Sequence, residues 1–269
     1  MTLYLVGLGP GSPEHLTLRA AEVLRASQAV VGYAPYVDLV DSWFANPDRI
    51  AVRGALGQEK ERAQEAIRLA RDERLSVALV SSGDVGIYGM GGPLFGTLLE
   101  DGWDGQHPPV EVVPGVTAAV SANAVLGAPL ADDLALISLS DILTPWSVIA
   151  ERLEAAARAD FVVALYNPAS ARRRQGLRQA RRILLRHKAP DTPVALVRNA
   201  LRLDTRVCLT TLAEMPRAAI DADMLTLVIV GNQHTLRLGG DRLVSRRAGA
   251  APLLPPPAAA GRPTSGSLA

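Results

Sequence analysis

The residues best suited to chemistry in this sequence are glycines, one aspartate and two asparagines, each placed directly after a short run of β-branched and aliphatic residues. Residues 7–13 read GLGPGSP, 81–93 SSGDVGIYGMGGP, 114–119 PGVTAA, 165–168 LYNP and 197–200 VRNA. Glycine lets backbone approach a ligand closely and leaves N–H groups free to meet a carboxylate or the edge of a base. Gly83, Gly86, Gly89, Gly91 and Gly92 surround Asp84 in that manner. In α/β sheets, ligands sit outside the carboxyl ends of the strands, so five such loops at strand ends predict one shared cleft. Each loop also has a plain structural use: Asp84 and Asn167 suit turns, and Thr117 suits a helix N-cap.

Two nucleotide-binding motifs are excluded by the first loop. G-x-G-x-x-G starting at Gly7 requires glycine at position 12, where the chain has Ser12, and Pro10 removes an N–H donor from the turn. No Gly-Lys-Ser/Thr follows, so a Walker loop is absent as well.

Elements that would position these loops are legible from periodicity. Short apolar runs (LYLVGLG, QAVVGY, LSVALVSSGD, VEVVPG) alternate with amphipathic stretches at 16–26 and 58–73. The rhythm repeats with LALISLSD, a helix near 146–158, DFVVALYNP, a helix near 172–187, TPVALVRNA, TRVCLTTL and LTLVIVG. This alternation predicts an α/β protein of two lobes with mostly parallel sheets and the active-site cleft between them, an N-terminal lobe over 1–116 and a C-terminal lobe over 117–247. Residues 248–269 lack periodicity and are dense in proline, alanine and glycine, a composition that predicts a disordered tail.

Taken together, VGLGPGSPEHLTLRA, SSGDVGIYGMGGP and VEVVPGVTAA resemble the three successive signatures of the tetrapyrrole methylases, S-adenosylmethionine-dependent enzymes of cobalamin and sirohaem synthesis. GYAPYVDLV (32–40), ISLSDILTPW (137–146) and ADFVVALYNPASARRR (159–174) resemble the branch that methylates carbon 17 of a precorrin and contracts the macrocycle. The resemblance spans roughly residues 2–240. It implies a homodimer with S-adenosylmethionine folded between two lobes and a tetrapyrrole as substrate. By matched motif positions the donor would meet Pro10, Ser82, Gly83, Asp84, Ile87, Thr117, Ala118, Asn167 and Ala200. Two positions depart from the wider pattern: Val85 replaces the proline of Gly-Asp-Pro, which suits the carbon-17 branch, and Ala200 stands where sirohaem-branch members tend to have glycine. The oxygen-dependent pathway is the first expectation and its anaerobic, cobalt-containing counterpart the second; a noncatalytic tetrapyrrole carrier is the alternative from another class.

Methyl transfer from a sulfonium rests on alignment, whereas ring contraction calls for proton transfer by positioned acids or bases. Asp84, Tyr88, Asp132, Asp133 and Ser140 are the candidates for the second role. The substrate that the resemblance implies is a polycarboxylate, which draws attention to Arg172, Arg173 and Arg174 at the start of the basic stretch 171–188; the remainder of that stretch reads as a solvated helical face.

Composition narrows the remaining classes. A net charge of +1 over 269 residues argues against nucleic-acid binding by bulk charge. One cysteine, Cys208, precludes an internal disulfide, and four scattered histidines lack metal-ligand spacing, so no metal site is expected. No apolar run reaches membrane-spanning length and no secretory signal pattern opens the chain, which leads to an expectation of a cytoplasmic protein that is independent of membranes.

Overall fold

A computed structural model describes residues 1–169 and 175–247; the expected tail at 248–269 and Arg172, Arg173 and Arg174 lie outside the described residues. The first half builds β1 (Leu3–Gly7), α1 (Leu18–Ala26), β2 (Ala29–Tyr33), α2 (Ala34–Trp43), β3 (Ile50–Gly54), α3 (Glu59–Arg71), β4 (Val77–Ser81), α4 (Gly91–Glu100) and β5 (Val110–Val113). Its sheet has the order β3-β2-β4-β1-β5, and every pairing is parallel. Helices cover both faces, so β4 (VALVS) is buried along its whole length and reads as a continuous apolar run.

The second half contributes α5 (Ala118–Leu126), β6 (Gly127–Ala128), β7 (Leu134–Ser138), α6 (Trp146–Arg158), β8 (Val162–Tyr166), α7 (Gln175–Leu184), β9 (Pro193–Arg198), β10 (Arg206–Thr211), α8 (Met215–Ala218), β11 (Thr226–Val230), β12 (Thr235–Arg237) and β13 (Leu243–Ser245). Its main sheet runs β10-β9-β11-β8-β7. The expectation of mostly parallel strands holds for the first sheet and fails for this one. Only β7 and β8 pair in parallel; β8–β11, β11–β9 and β9–β10 are antiparallel. The physical reason is connection length. The segment between Arg198 and Arg206 is too short for the crossover that a parallel pair requires, so β9 and β10 close as a hairpin. Because β8 and β9 both oppose β11, they still point the same way as each other and as β7.

Helix α6 shows why these segments dock. Ile149, Leu153, Ala156 and Ala157 fall on one face and are buried, and Pro145 supplies an extended residue before the first turn. Helix α7 buries Leu177, Ala180, Ile183 and Leu184 while Arg178 and Arg182 face water, which makes its described basic residues largely a solvated face. Lys188, just beyond it, is the exception: its side chain is buried, and Nζ donates to Asp160 Oδ1 and to the Phe161 carbonyl, both at 2.9 Å. Asp160 holds a left-handed backbone (φ 55°), which asparagine tolerates. Asp160→Asn therefore keeps shape and one acceptor but removes the charge opposite a buried ammonium. A loss of roughly 2 kcal/mol is expected, read as a lower urea midpoint at unchanged slope.

Candidate functional site

Strand β1 lies between β4 and β5, so the loops after all three emerge side by side. They touch backbone to backbone. Gly9 N–H donates to Gly83 O at 3.1 Å and Gly83 N–H to Gly9 O at 2.8 Å. A Cβ on Gly115 would sit 2.1 Å from Gly83 O and 2.8 Å from the Gly7 carbonyl carbon. Glycine is thus required at 115 for loop to meet loop, a use distinct from ligand approach. Asp84 fastens the second loop to the third: Gly86 N–H donates to Oδ1 at 2.8 Å and Gly115 N–H to Oδ2 at 3.0 Å.

The second sheet faces this array with the C-terminal ends of β8 and β9. Antiparallel β11 adds its N-terminal end to the same edge, where Asn199 N–H donates to Leu225 O at 3.1 Å. Between the sheets opens a cleft lined from both sides, by Pro10 and Gly83 on one and by Asn167 and Ala200 on the other. Several contacts bind its two walls. Tyr88 donates its hydroxyl hydrogen to Leu136 O at 2.8 Å, its ring lies 5.0 Å from that of Tyr166, and Thr117 Oγ1 lies 2.7 Å from Tyr166 Oη. Burial pushes both phenols above the ordinary tyrosine pKa, so both remain protonated at neutral pH.

The expected donor residues are distributed in two tiers. Pro10, Ser82, Gly83, Ala118, Asn167 and Ala200 line the cleft. Asp84, Ile87 and Thr117 are not among its lining residues. Asp84 holds the loops as described, Ile87 packs against the apolar cluster of the second sheet, and Thr117 is buried against Tyr166. Thr117 makes no side-chain cap to α5, so the N-cap bond is absent although it occupies that position. Asn167 has φ 52° and donates from Nδ2 to Ser138 Oγ at 3.0 Å.

The proton-transfer candidates separate by position. Asp132 and Asp133 are corrected: they precede β7, at the sheet edge opposite the cleft, because β7 runs parallel to β8 and only its far end reaches Asn167. Asp132 Oδ2 instead accepts from Asn232 Nδ2 at 2.8 Å. Ser140 follows β7 on the cleft edge, with its N–H donating to Ser138 Oγ at 3.2 Å. Tyr88 is at the rim, its hydroxyl engaged with Leu136. Arg172, Arg173 and Arg174 lie outside the described residues.

Sequence reasoning missed Tyr166, Arg202 and the Met224–Leu227 segment and gave Asn199 no contact although it singled out its loop; all of these line the cleft. Tyr166 and Asn199 stand inside motifs singled out above, so the strand-end rule could have found them. Met224 and Leu225 precede β11, Thr226 and Leu227 open it, and all four reach the site only because β11 runs the other way.

The profile of the Tetrapyrrole (Corrin/Porphyrin) Methylases matches residues 2–216. The chain is 46% identical over 234 residues to a cobalt-factor III methyltransferase of Priestia megaterium, covering 87% of this chain and 42% of that protein, so it spans less than half of that relative. It is 39% identical to a precorrin-3B C(17)-methyltransferase of a Sinorhizobium species, covering 87% of this chain and 90% of the relative. Among solved structures, the methyltransferase CobJ superposes with a TM-score of 0.81 at 32% identity, covering 91% of this chain and 99% of that one. A uroporphyrin-III C-methyltransferase of Thermus thermophilus, complexed with S-adenosylhomocysteine, gives 0.64 at 27% identity over 86% and 92% of the two chains. With the profile covering most of its length, the chain belongs to the tetrapyrrole methylases.

Proposed function

We propose that this protein transfers a methyl group from S-adenosylmethionine to carbon 17 of precorrin-3B and contracts the macrocycle, giving precorrin-4 in cobalamin synthesis. The observation that carries the reading is the convergence of five loops from two sheets on one cleft, six of whose lining residues coincide with motif positions: Pro10, Ser82, Gly83, Ala118, Asn167 and Ala200. A donor fits the residues present. Asn199 Oδ1 is buried with no partner among the described residues, an arrangement suited to receiving a ligand N–H or O–H.

S-adenosylmethionine supplies an activated methyl group attached to its own leaving group. The chain's task is then to hold a ring carbon in line with that methyl and to exclude water. The Pro10 loop and Gly83 form one wall, Asn167 and Ala200 the other, and the Tyr88–Leu136 and Thr117–Tyr166 contacts keep the walls in register. With Asp84 engaged by two backbone N–H groups, its role is to position the donor wall; Tyr88 and Ser140 stay as candidates for proton movement during contraction.

Incubation with precorrin-3B and isotopically labelled donor tests this reading. A product that carries the label on carbon 17 and a contracted ring by mass and NMR is expected; no label transfer would sink it. A second reading, the same chemistry on cobalt-factor III, is favoured by the 46% identity to the Priestia megaterium relative and is separated by offering that substrate in parallel. The same proposal carries a homodimer, checked by sedimentation, and a cytoplasmic location. Among the described residues no helix is long and apolar enough to cross a membrane.

A further inference from the structure

The turn between β9 and β10 contains an arginine that the assignments above leave without a task. Nearby acids are already engaged: Asp204 Oδ2 accepts from Asn199 Nδ2 at 2.6 Å and lies 3.4 Å from Arg198 Nη1, while Asp223 Oδ2 lies 3.0 Å from Arg198 Nη2. Arg202 forms no ion pair among the described residues. Its Nε donates to the Pro10 carbonyl across the cleft, and its Nη groups have no hydrogen-bond partner among the described residues. Its head rests against the Pro10 loop, where a Cβ on Gly11 would come within 2.7 Å of Nη2.

The turn holds this side chain in place at some conformational cost. Asn199 and Leu201 take φ of 52° and 62°, a left-handed conformation that asparagine tolerates and leucine rarely adopts. Arg202 N–H donates to Asn199 O at 3.0 Å and to Thr205 Oγ1 at 3.1 Å, and Thr205 Oγ1 donates back to Asn199 O at 2.8 Å. A half-buried guanidinium lining a cleft, anchored through Nε and open at both Nη atoms, presents a fork matched to a planar carboxylate.

We propose that Arg202 grips a carboxylate of a reactant bound in the cleft, an inference that rests on the methyl-transfer reading. Both reactants of that reading carry the chemistry: the donor through its amino-acid carboxylate, the macrocycle through its peripheral acids. Calorimetry on wild type, Arg202→Gln and Arg202→Lys with three probes separates the sources. The probes are S-adenosylhomocysteine, 5′-methylthioadenosine, which lacks the amino-acid carboxylate, and uroporphyrin III.

Arg202→Gln is expected to weaken at least one carboxylate-bearing probe on the order of 10- to 100-fold while leaving 5′-methylthioadenosine unchanged, with partial recovery in Arg202→Lys. Loss confined to S-adenosylhomocysteine assigns the donor's carboxylate, and loss confined to uroporphyrin III assigns the macrocycle. Unchanged affinity for both overturns the proposal. So does an equal loss for all three probes, which is the signature of a loosened Arg202–Pro10 contact alone. Wild-type protein that binds none of them overturns the methyl-transfer reading and this proposal with it.

Discussion

Gly115→Ala is expected to weaken S-adenosylhomocysteine binding on the order of 100-fold while leaving the secondary structure in place. The added Cβ would lie 2.1 Å from Gly83 O and 2.8 Å from the Gly7 carbonyl carbon, and all of the atoms it meets are backbone. No flexible side-chain end is available to yield, so the loops after β1, β4 and β5 must separate. A displacement near 1 Å in a donor wall is enough for a loss of that size, and overpacking adds about 1–3 kcal/mol of destabilisation. Gly96→Ala in α4 is the control, since a Cβ there meets nothing within 4 Å. It should raise stability by about 0.5–1 kcal/mol through helix propensity and leave binding untouched. Calorimetry together with far-UV circular dichroism reads both variants; wild-type affinity in a folded Gly115→Ala protein would refute the loop-packing argument.

Asp84→Asn should slow methyl transfer and ring contraction together. Both carboxylate oxygens accept backbone N–H groups, from Gly86 at 2.8 Å and Gly115 at 3.0 Å. An amide offers one acceptor oxygen and one donor NH₂, so whichever way it turns, one backbone N–H faces another donor. That mismatch costs about 1–3 kcal/mol and loosens the Gly83 loop, so the expected defect is a raised donor KM with an unchanged product distribution. A methylated but uncontracted macrocycle accumulating at saturating donor would instead make Asp84 a proton-transfer group. Asp84→Ala, which removes the mismatch but also both acceptors, should be at least as damaging to donor binding; wild-type kinetics in both variants would exclude the residue from either role.

What the sequence by itself determined is what depends on near neighbours. Apolar faces repeating every three to four residues located α6 at Trp146–Arg158, and β-branched runs located every strand of the two main sheets except β3. The loops rich in glycine and asparagine were legible because their composition is local too. Even here the pattern failed where local signals conflict: α4 opens on Gly91-Gly92-Pro93, which reads as loop, and α2 and β3 were not separated from their surroundings.

Strand direction and loop contact belong to the tertiary structure. Nothing near residues 226–230 states that β11 will insert between β8 and β9 in the opposite sense, yet that insertion carries Met224 to Leu227 to the cleft edge. It also explains why Asp132 and Asp133, attractive as a carboxylate pair, end up at the wrong edge of the sheet. In sequence Gly115 is only one glycine of a loop that follows a strand, and the fold uses it to let three backbones meet. Arg202 stands 192 residues from Pro10, and only the packing of the second sheet's loops against those of the first brings its guanidinium to that carbonyl. Periodicity records which face of a segment is buried; which segment it is buried against, and in what direction, is decided by packing between parts of the chain remote in sequence.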